Sequence, residues 1–380
     1  MSHPVKAFCG AAFHDGTALY AGRALLTFSD GRATLVTPDE IPADTPRQML
    51  DGGTLMPGFV DLQVNGGGGV MFNDAQTVET LGRIAKAHAG IGTAGLLPTL
   101  ITDTPQHTAN AIQAVEDAIA AKTPGIIGIH LEGPHLSVAR KGAHDPNLIR
   151  PITDTDMQVL LGAAERLPNV MLTLAPENAS NQQIRRLAEA GIIISLGHTD
   201  ADYDTCMAAF DAGARCVTHL FNAMSQLGNR EPGLVGAALA HGEVYAGLIA
   251  DGIHVHPASM RAALAGKTGA DRLFLVTDAM ATAGSSVTKF HLNGREVLRQ
   301  DARLTLGDGT LAGADLELCR SIDVLVNQVG IPAEDAIRRA TSVPASLLRD
   351  DFGLGRFNDR SDTLIYASAD WRDVTPLSAL

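Results

Sequence analysis

Short apolar runs alternate with amphipathic segments through most of this chain. Eight runs rich in Ile, Val and Leu are bounded by Gly and polar residues, which predicts buried strands. They are LMPGFVDLQVN, GTAGLLPTL, GIIGIHLEG, VMLTLAPEN, GIIISLGHT, RCVTHLFN, VYAGLIADG and RLFLVTDAM. Segments such as TVETLGRIAKAHAGI, with apolar residues at helical spacing, separate most of them. Eight strand–helix alternations over roughly 250 residues predict an α/β fold, a (β/α)8 TIM barrel.

The two ends of the chain have a different pattern. Residues 1–54 alternate short apolar pieces with Gly and Asp turns, which predicts β-hairpins. The tail FGLGRFNDRSDTLIYASAD predicts two more strands. We therefore expect a small β-sandwich domain formed from residues 1–54 and 349–380, and a barrel domain of residues 55–348. Within the barrel domain, TKFHLNGREVLR and ARLTLGDGTLAG predict a hairpin insert over the barrel mouth.

Composition and charge narrow the class of protein. The 380 residues are 45% hydrophobic and 19% charged, as in globular proteins. A net charge of −13 without a long basic run argues against a nucleic-acid partner. No apolar stretch reaches the ~20 residues that cross a membrane. Four scattered cysteines without a CxxC pair, and a start that lacks a signal-peptide core, predict a cytoplasmic protein.

Four acidic or histidine residues occur at the downstream ends of predicted strands: Glu132, His198, His219 and Asp278. Parallel barrels place catalytic residues at these strand ends, so we expect the four to converge. Each alone has an ordinary explanation, since a strand-end His is usually structural, a Glu forms ion pairs and an Asp caps helices. Together, one Glu and two His supply three metal ligands, and Asp278 remains free to move protons. The set favours a metal-dependent hydrolase.

Three loop residues are further candidates for the site. His144 lies in KGAHDPN, Arg230 in GNREPGLVG and His254 in ADGIHVHP. Loop His and Arg residues are usually solvated, and that alternative stays open. However, an Arg between Gly and Pro-Gly lies on a stiff loop suited to hold an anion. The run VNGGGG lacks the Lys-Ser/Thr of a P-loop, so its phosphate signal is weak.

The order of these motifs resembles the N-acetylglucosamine-6-phosphate deacetylases of the amidohydrolase superfamily. The motifs are PGFVDLQVNGGGG, HLEGPHL, KGAHDPN, LAPE, GHTDA, THLFNAM, REPGLVG, ADGIHV, LVTDAM and GTLAG. The resemblance extends from about Met56 to Gly313 and implies a barrel with a small β domain from both termini. It also implies metal-dependent removal of acetate from the 2-acetamido group of a hexosamine 6-phosphate, in amino-sugar catabolism or cell-wall sugar recycling.

The resemblance also implies roles for individual residues. Glu132, His198 and His219 match the metal ligands, and Asp278 matches the catalytic acid and base. His144 matches a catalytic residue near the scissile amide. The residues that match sugar-phosphate contacts are Ala143, His144, Asn222, Ala223, Arg230, His254, Leu311, Ala312 and Gly313. In the family, the arginine equivalent to Arg230 reaches in from the neighbouring subunit, so the resemblance implies a homodimer.

Two features depart from the wider superfamily. Many amidohydrolases have HxH at the end of the first strand, where this chain has Gln63 and Asn65. Amides are weak metal ligands, so we expect one divalent metal ion per subunit. Zinc is the first choice, with iron, cobalt or manganese as alternatives. We expect Gln63 to hydrogen-bond a ligand or its bound water. His135 stands where other members differ, as a spare ligand or a substrate contact.

Two alternatives to this function remain at the level of sequence. An enzyme for the galactosamine epimer would differ by one inverted hydroxyl group, which leaves no mark in a single chain. A barrel that has lost catalysis and serves as a binding protein would have a broken ligand set. Here the set of Glu132, His198 and His219 is intact, which favours an enzyme.

Overall fold

The computed structural model describes residues 3–269 and 271–380. Its centre is a parallel sheet of eight strands, each paired with the next in chain order. We number these strands β1 (Phe59–Val64), β2 (Thr93–Ile101), β3 (Ile129–Glu132), β4 (Val170–Leu174), β5 (Ile193–Leu196), β6 (Cys216–Val217), β7 (Tyr245–Leu248) and β8 (Leu273–Leu275). The predicted barrel strands are confirmed, including their order.

Residues just beyond β8 close the barrel onto β1. The amide of Asp278 donates to the carbonyl oxygen of Gln63 at 3.0 Å, and the amide of Asn65 donates to that of Ala279 at 2.8 Å. Thr277 Oγ1 donates to the buried Asp61 carboxylate at 2.5 Å. Burial raises the pKa of Asp61 to about 7, against the opposing bonds from Thr277 and Gln63. This closure fixes Asp278 beside the end of the first strand.

Helices cover the outside of the barrel. Seven follow the strands: Val78–Gly90, Pro105–Ala120, Asp154–Arg166, Asn181–Glu189, Tyr203–Asp211, Gly233–Ala240 and Pro257–Gly266. Helical segments after β8 span Leu318–Asp323, Val324–Val329 (a π-helix), Ala333–Ala340 and Ser342–Ala345. Five of the seven begin at a Thr, Ser or Asp whose side chain accepts a first-turn amide hydrogen, as N-caps do. No helix in the described residues is long and apolar enough to span a membrane.

The small domain contains two sheets that share an apolar core. One has the strands Pro4–Cys9, Ala24–Phe28, Ala33–Val36 and Arg47–Met49. The other has Ala12–His14, Leu19–Tyr20, Thr54–Pro57, Leu364–Ala367 and Val374–Pro376. Phe8, Phe13, Leu25, Leu55 and Leu364 pack together between them. Strands from both chain ends therefore form one sandwich, as predicted.

The run LMPGFVDLQVN, expected to form one strand, forms two. Thr54–Pro57 pairs with Leu364–Ala367 in the small domain, whereas Phe59–Val64 is β1 of the barrel. Gly58 joins them where an added Cβ would lie 2.6 Å from the Ala94 Cβ, so only Gly fits at this crossing. The expected domain boundary between residues 54 and 55 passes through the first of these strands. We propose Gly58 as the boundary instead.

The insert after β8 is larger than one hairpin. The strands Lys289–Leu292, Arg295–Gln300, Arg303–Leu306 and Leu311–Ala314 form an antiparallel sheet in that order. Its last strand contacts the barrel, where the amide of Ala314 donates to the carbonyl oxygen of Asp278 at 3.0 Å. The sheet thus lies beside the carboxyl ends of the barrel strands. Short elements complete the description: the strand pair Gly66–Gly67 and Val70–Met71, and the 3₁₀ turns Pro38–Glu40, Val138–Arg140, Pro176–Asn178 and Leu377–Ala379.

Candidate active site

Glu132, His198 and His219 converge at the carboxyl ends of β3, β5 and β6. Glu132 Oε1 lies 3.2 Å from Nε2 of each histidine, and the two Nε2 atoms lie 3.1 Å apart. All three residues are buried. Hydrogen bonding of the histidines outweighs the effect of burial and holds the pKa of Glu132 well below its usual range. The same carboxylate, acting against burial, raises the pKa of His219.

This triangle has the size that one metal ion requires. Ligand atoms roughly 2.0–2.1 Å from a tetrahedral ion are about 3.3 Å from one another. The observed separations of 3.1–3.2 Å match that spacing. His198 Nδ1 bonds the carbonyl oxygen of Arg140 at 2.9 Å, which directs Nε2 toward the centre of the triangle. A carboxylate and two imidazoles buried together form a donor set suited to a divalent cation.

Asp278 adjoins this triangle through two amide side chains. Its Oδ1 accepts hydrogen bonds from Asn65 Nδ2 at 2.6 Å and from Gln63 Nε2 at 3.2 Å. Gln63 Nε2 is also 3.2 Å from Glu132 Oε1, so it bridges the two carboxylates. Burial first, and then the charge of Glu132, raise the pKa of Asp278 to about 6. A carboxyl group with such a pKa can take up and release a proton near neutrality.

His144 faces the same space and is neutral. Its Nδ1 lies 3.3 Å from the amide nitrogen of Thr102 and 2.8 Å from Thr102 Oγ1. Its ring packs edge-on against His198 with centroids 4.4 Å apart. Burial first, and then the neighbouring His198, lower the pKa of His144 to about 3. Because Nδ1 accepts the amide hydrogen, the ring hydrogen is on Nε2.

The backbone is strained at three of these positions. His198, His219 and Asp278 have φ values of +48°, +32° and +51°, in the region that non-glycine residues rarely adopt. Each lies two or three residues beyond the end of its strand. Such strain costs of order 1–3 kcal/mol per residue and clusters at functional sites. Here it lets the chain turn at the barrel rim while these side chains point inward.

These groups open into a cavity of about 260 Å³ at the barrel mouth. The candidate residues on its wall are Glu132, Ala143, His144, His198, His219, Asn222, Ala223, His254, Asp278, Leu311 and Gly313. His254 Nδ1 bonds Asp251 Oδ2 at 2.6 Å, so its other ring nitrogen is available to a ligand. The insert sheet supplies part of the wall through Leu311 and Gly313. The candidate catalytic and binding residues thus line one cavity.

Three candidates lie elsewhere. Arg230 and Ala312 are not among the described residues that line the cavity. Arg230 is exposed in the single chain, and Ala312 is buried in the core of the insert. His135 bonds the carbonyl oxygen of Arg150 at 3.0 Å and borders a separate small cavity. It is absent from the Glu132, His198 and His219 cluster within the described chain. His135 is therefore not a spare ligand in this arrangement.

The glycine run after β1 has a structural role. The amides of Gly66, Gly68 and Gly69 donate to the carbonyl oxygens of Ala279, Ala283 and Ala281, at 3.1, 2.8 and 2.8 Å. These donors are already used and cannot also cradle a phosphate group. The glycines of VNGGGG thus serve close packing against the segment that follows β8, and not phosphate binding.

Comparison with known proteins agrees with this geometry. The amidohydrolase family matches residues 54–358. The chain belongs to the amidohydrolase family. It is 46% identical over 310 residues to an N-acetylgalactosamine-6-phosphate deacetylase from Shewanella sp. (strain ANA-3), covering 82% of this chain and 78% of the relative. It is 37% identical over 309 residues to an N-acetylglucosamine-6-phosphate deacetylase from Haemophilus influenzae, covering 80% of each chain.

A solved structure resembles this amidohydrolase over nearly its whole length. The crystal structure of an N-acetylglucosamine-6-phosphate deacetylase from Pasteurella multocida superposes with a TM-score of 0.90 at 34% identity. The match covers 97% of this chain and 96% of the other. The predicted family and fold are therefore confirmed, as is the assignment to the metal-dependent hydrolases.

Sequence reasoning missed several residues of this amidohydrolase site. Thr102 contacts His144, and Asn65, considered only as a missing metal ligand, bonds Asp278. Thr102 follows β2 directly, so the strand-end rule that identified the other candidates could also have identified Thr102. The apolar wall of Ile101, Ile249, Met280 and Leu292 gave no such signal, because apolar residues are common everywhere in a barrel.

Proposed function

We propose that this chain hydrolyses the acetamide group of N-acetyl-D-glucosamine 6-phosphate, giving D-glucosamine 6-phosphate and acetate. The observation that carries the proposal is the buried triangle of Glu132, His198 and His219 beside Asp278, in a cavity at the barrel mouth. Relatives that carry this activity in their names match about four fifths of the chain or more. The reaction belongs to amino-sugar catabolism or cell-wall sugar recycling in the cytoplasm.

Glu132, His198 and His219 would hold one divalent ion, which when bound would activate water and polarise the amide carbonyl group. Gln63 and Asn65 occupy positions where a second ion would need stronger ligands. Zinc is our first choice, with iron, cobalt or manganese as alternatives. Metal analysis of active protein should give about one equivalent per chain. Two tightly bound equivalents, both required for turnover, would contradict this proposal.

Asp278 moves the proton in this mechanism. Its Oδ1 is occupied by the side-chain amides of Asn65 and Gln63, which leaves Oδ2 to accept a proton from the attacking water. The same oxygen then donates that proton to the amide nitrogen, so that the amine can leave. Burial raises the pKa of Asp278 to about 6, so its carboxyl group can accept and then release a proton near neutral pH.

His144 stabilises the charge that develops on the acetamide oxygen. A neutral imidazole with its hydrogen on Nε2 is a fixed donor in a buried site. Preorganised donors of this kind stabilise a tetrahedral oxyanion without reorganisation cost. Ala143 and Leu311-Ala312-Gly313 would shape the space for the sugar from the loop and from the insert.

The phosphate group would bind at the opposite end of the cavity, near Asn222, Ala223 and His254. We propose that Arg230 of a second subunit completes this end of the site in a homodimer. The exposed position of Arg230 in the single chain agrees with such an arrangement. Remote binding of the phosphate group would orient the amide for attack.

N-acetylgalactosamine 6-phosphate is the second candidate substrate. The 46% identical Shewanella relative is named for that sugar, and this is the observation in its favour. The same residues would perform the same chemistry on either epimer, because the two sugars differ only in one hydroxyl group.

Acetate release from both sugar phosphates tests the function. We expect turnover of N-acetylglucosamine 6-phosphate with a higher kcat/KM than its epimer, loss of turnover with a chelator, and recovery on adding a divalent metal. Purified Asp278→Asn protein serves as the matched control, because the substitution keeps the side-chain shape and any remaining fast turnover would reveal a contaminating deacetylase. Higher kcat/KM on the galactosamine epimer would transfer the assignment to the second candidate. No hydrolysis of either sugar phosphate by metal-loaded protein would contradict both.

A further inference from the structure

Thr102 follows β2 directly and contacts the imidazole of His144. It is 1% exposed, and His144 is 4% exposed. The Thr102 amide nitrogen and Oγ1 lie 3.3 Å and 2.8 Å from the same ring atom, Nδ1 of His144. Two groups of one residue therefore face a single nitrogen of the catalytic imidazole.

A backbone amide can only donate, so Nδ1 must present its lone pair toward Thr102. In the other neutral tautomer Nδ1–H could donate to Thr102 Oγ1, but it would also face the amide hydrogen and leave that buried amide without an acceptor. Thr102 thus selects the tautomer in which Nε2 carries the hydrogen. That is the tautomer able to donate to an oxygen atom of a bound substrate.

The hydroxyl group of Thr102 is itself confined. Its Oγ1 is 3.4 Å from the carbonyl oxygen of Glu132, and a Cβ added to Gly133 would lie 2.3 Å from it. Gly133 has φ +87°, so the chain turns here without a side chain and leaves room for the hydroxyl group. Water cannot replace this group, because the position is closed to solvent. The loop that follows Glu132 thereby holds Thr102 against His144.

We propose that Thr102 is a positioning residue that fixes the orientation and tautomer of His144 for turnover. This inference rests on the proposed role of His144 in amide hydrolysis. Thr102 would not touch substrate, and its whole effect on the rate would pass through the imidazole. Its loss should therefore lower kcat and leave KM nearly unchanged.

Thr102→Val tests this, since it keeps the shape and removes the hydroxyl group. We expect kcat to fall roughly 3- to 30-fold, as for loss of one hydrogen bond that acts in the transition state, with KM within about twofold of wild type. Thr102→Ser keeps the hydroxyl group and should restore most of the rate. Thr341→Val is the matched control, because Thr341 is also buried and donates to a carbonyl oxygen outside the cavity.

A double-mutant cycle separates positioning from general damage. In a His144→Asn background, Thr102→Val should cause no further loss of kcat, because the group it positions is gone. Equal losses in both backgrounds, or unchanged kcat in Thr102→Val alone, would overturn the inference. Lower metal content in Thr102→Val would also overturn it, by showing an effect through Glu132. Wild-type protein that releases no acetate would instead contradict the proposed function itself.

Discussion

The two ends of the cavity are built differently. At the metal end, Glu132, His198 and His219 come from strand ends, are buried, and have ligand atoms 3.1–3.2 Å apart. At the other end, which we define by Asn222 and His254, both residues come from loops; Arg230 is exposed in the single chain and does not line the cavity. The single chain therefore assembles a complete donor set for a metal ion, whereas Arg230 of the same chain contributes nothing to the wall near Asn222 and His254. The candidate metal ligands thus come from strand ends, whereas in our proposal substrate recognition depends on loops and on a second subunit.

Charge differs between these ends as well. The metal end concentrates two carboxylates, the buried Glu132 and the half-buried Asp278, whose charge a divalent cation would balance. The opposite end has His254 bonded to Asp251, and the whole protein carries a net charge of −13. An anionic substrate thus needs local cations to overcome an unfavourable overall field. Substitutions at the metal end should abolish turnover, and those at the other end should weaken binding.

Glu132→Gln should have the largest effect. A neutral amide is a poor ligand and leaves two buried histidines without their anionic partner, so we expect both bound metal and acetate release to fall to background. Metal content per chain and turnover are the measurements. Glu177→Gln is the matched control, since Glu177 lies outside the ligand cluster and accepts hydrogen bonds from the Thr199 hydroxyl group and the Asp200 backbone amide. Stoichiometric metal in active Glu132→Gln protein would break the assignment of the metal end.

Asp278→Asn should have the next largest effect, and on turnover alone. The amide keeps the shape but cannot accept a proton, so we expect kcat to fall roughly 10²–10⁴-fold with metal still bound. Asp251→Asn is the comparison at the other end, where loss of the bond to His254 should raise KM more than it lowers kcat. Near-native turnover by Asp278→Asn would end its assignment as the proton carrier.

Arg230→Ala should act on binding of the phosphate group. Loss of a charge-assisted contact costs about 1.5–3 kcal/mol, which would raise KM roughly 10- to 150-fold for the phosphorylated substrate. The unphosphorylated sugar should be barely affected, and equal losses on both substrates would show that Arg230 has another role.

Mixed dimers decide whether Arg230 acts between subunits. Co-expression of Asp278→Asn and Arg230→Ala chains would create one site with a native Asp278 and a native Arg230 from the partner. We expect the mixed dimers to recover turnover with a near-native kcat/KM, which neither variant has alone. No recovery in dimers verified as mixed would assign Arg230 to its own chain or to neither site.

The sequence could predict the features that depend on local patterns, but not those that depend on contacts between distant segments. The order of the barrel strands, the sandwich from both termini and the metal triangle all follow from periodicity and strand-end positions, which are local signals. The split at Gly58 did not, because it depends on the distant neighbours Ala94 and Thr363. The four-stranded insert and the position of His135 also depend on packing between distant segments. In our proposal Arg230 acts in the site of a second subunit, and the pattern along one chain carries no information about contacts between subunits.

The pH dependence of turnover should be the mildest of these effects. Burial, and then the charge of Glu132, raise the pKa of Asp278 to about 6, while His219 and the bond from Asn65 act in the opposite direction. Asp278 works as a base only when it is ionised. As the pH falls through the pKa, the ionised fraction decreases, so kcat should drop roughly tenfold between pH 7 and pH 5. A divalent ion nearby favours the ionised form, which moves this limb to lower pH.

Asn65→Ala tests whether ionisation of Asp278 causes this acidic limb. Asn65 Nδ2 donates to Asp278 Oδ1 at 2.6 Å and so stabilises the ionised carboxylate. Without this bond the pKa of Asp278 should rise, and the acidic limb of the kcat profile should move to higher pH than in wild type. The profile is measured at saturating substrate, so that ionisation of the phosphate group and changes at the Arg230 end affect it least. An acidic limb that stays in place in Asn65→Ala, or persists in the residual activity of Asp278→Asn, belongs to a group other than Asp278.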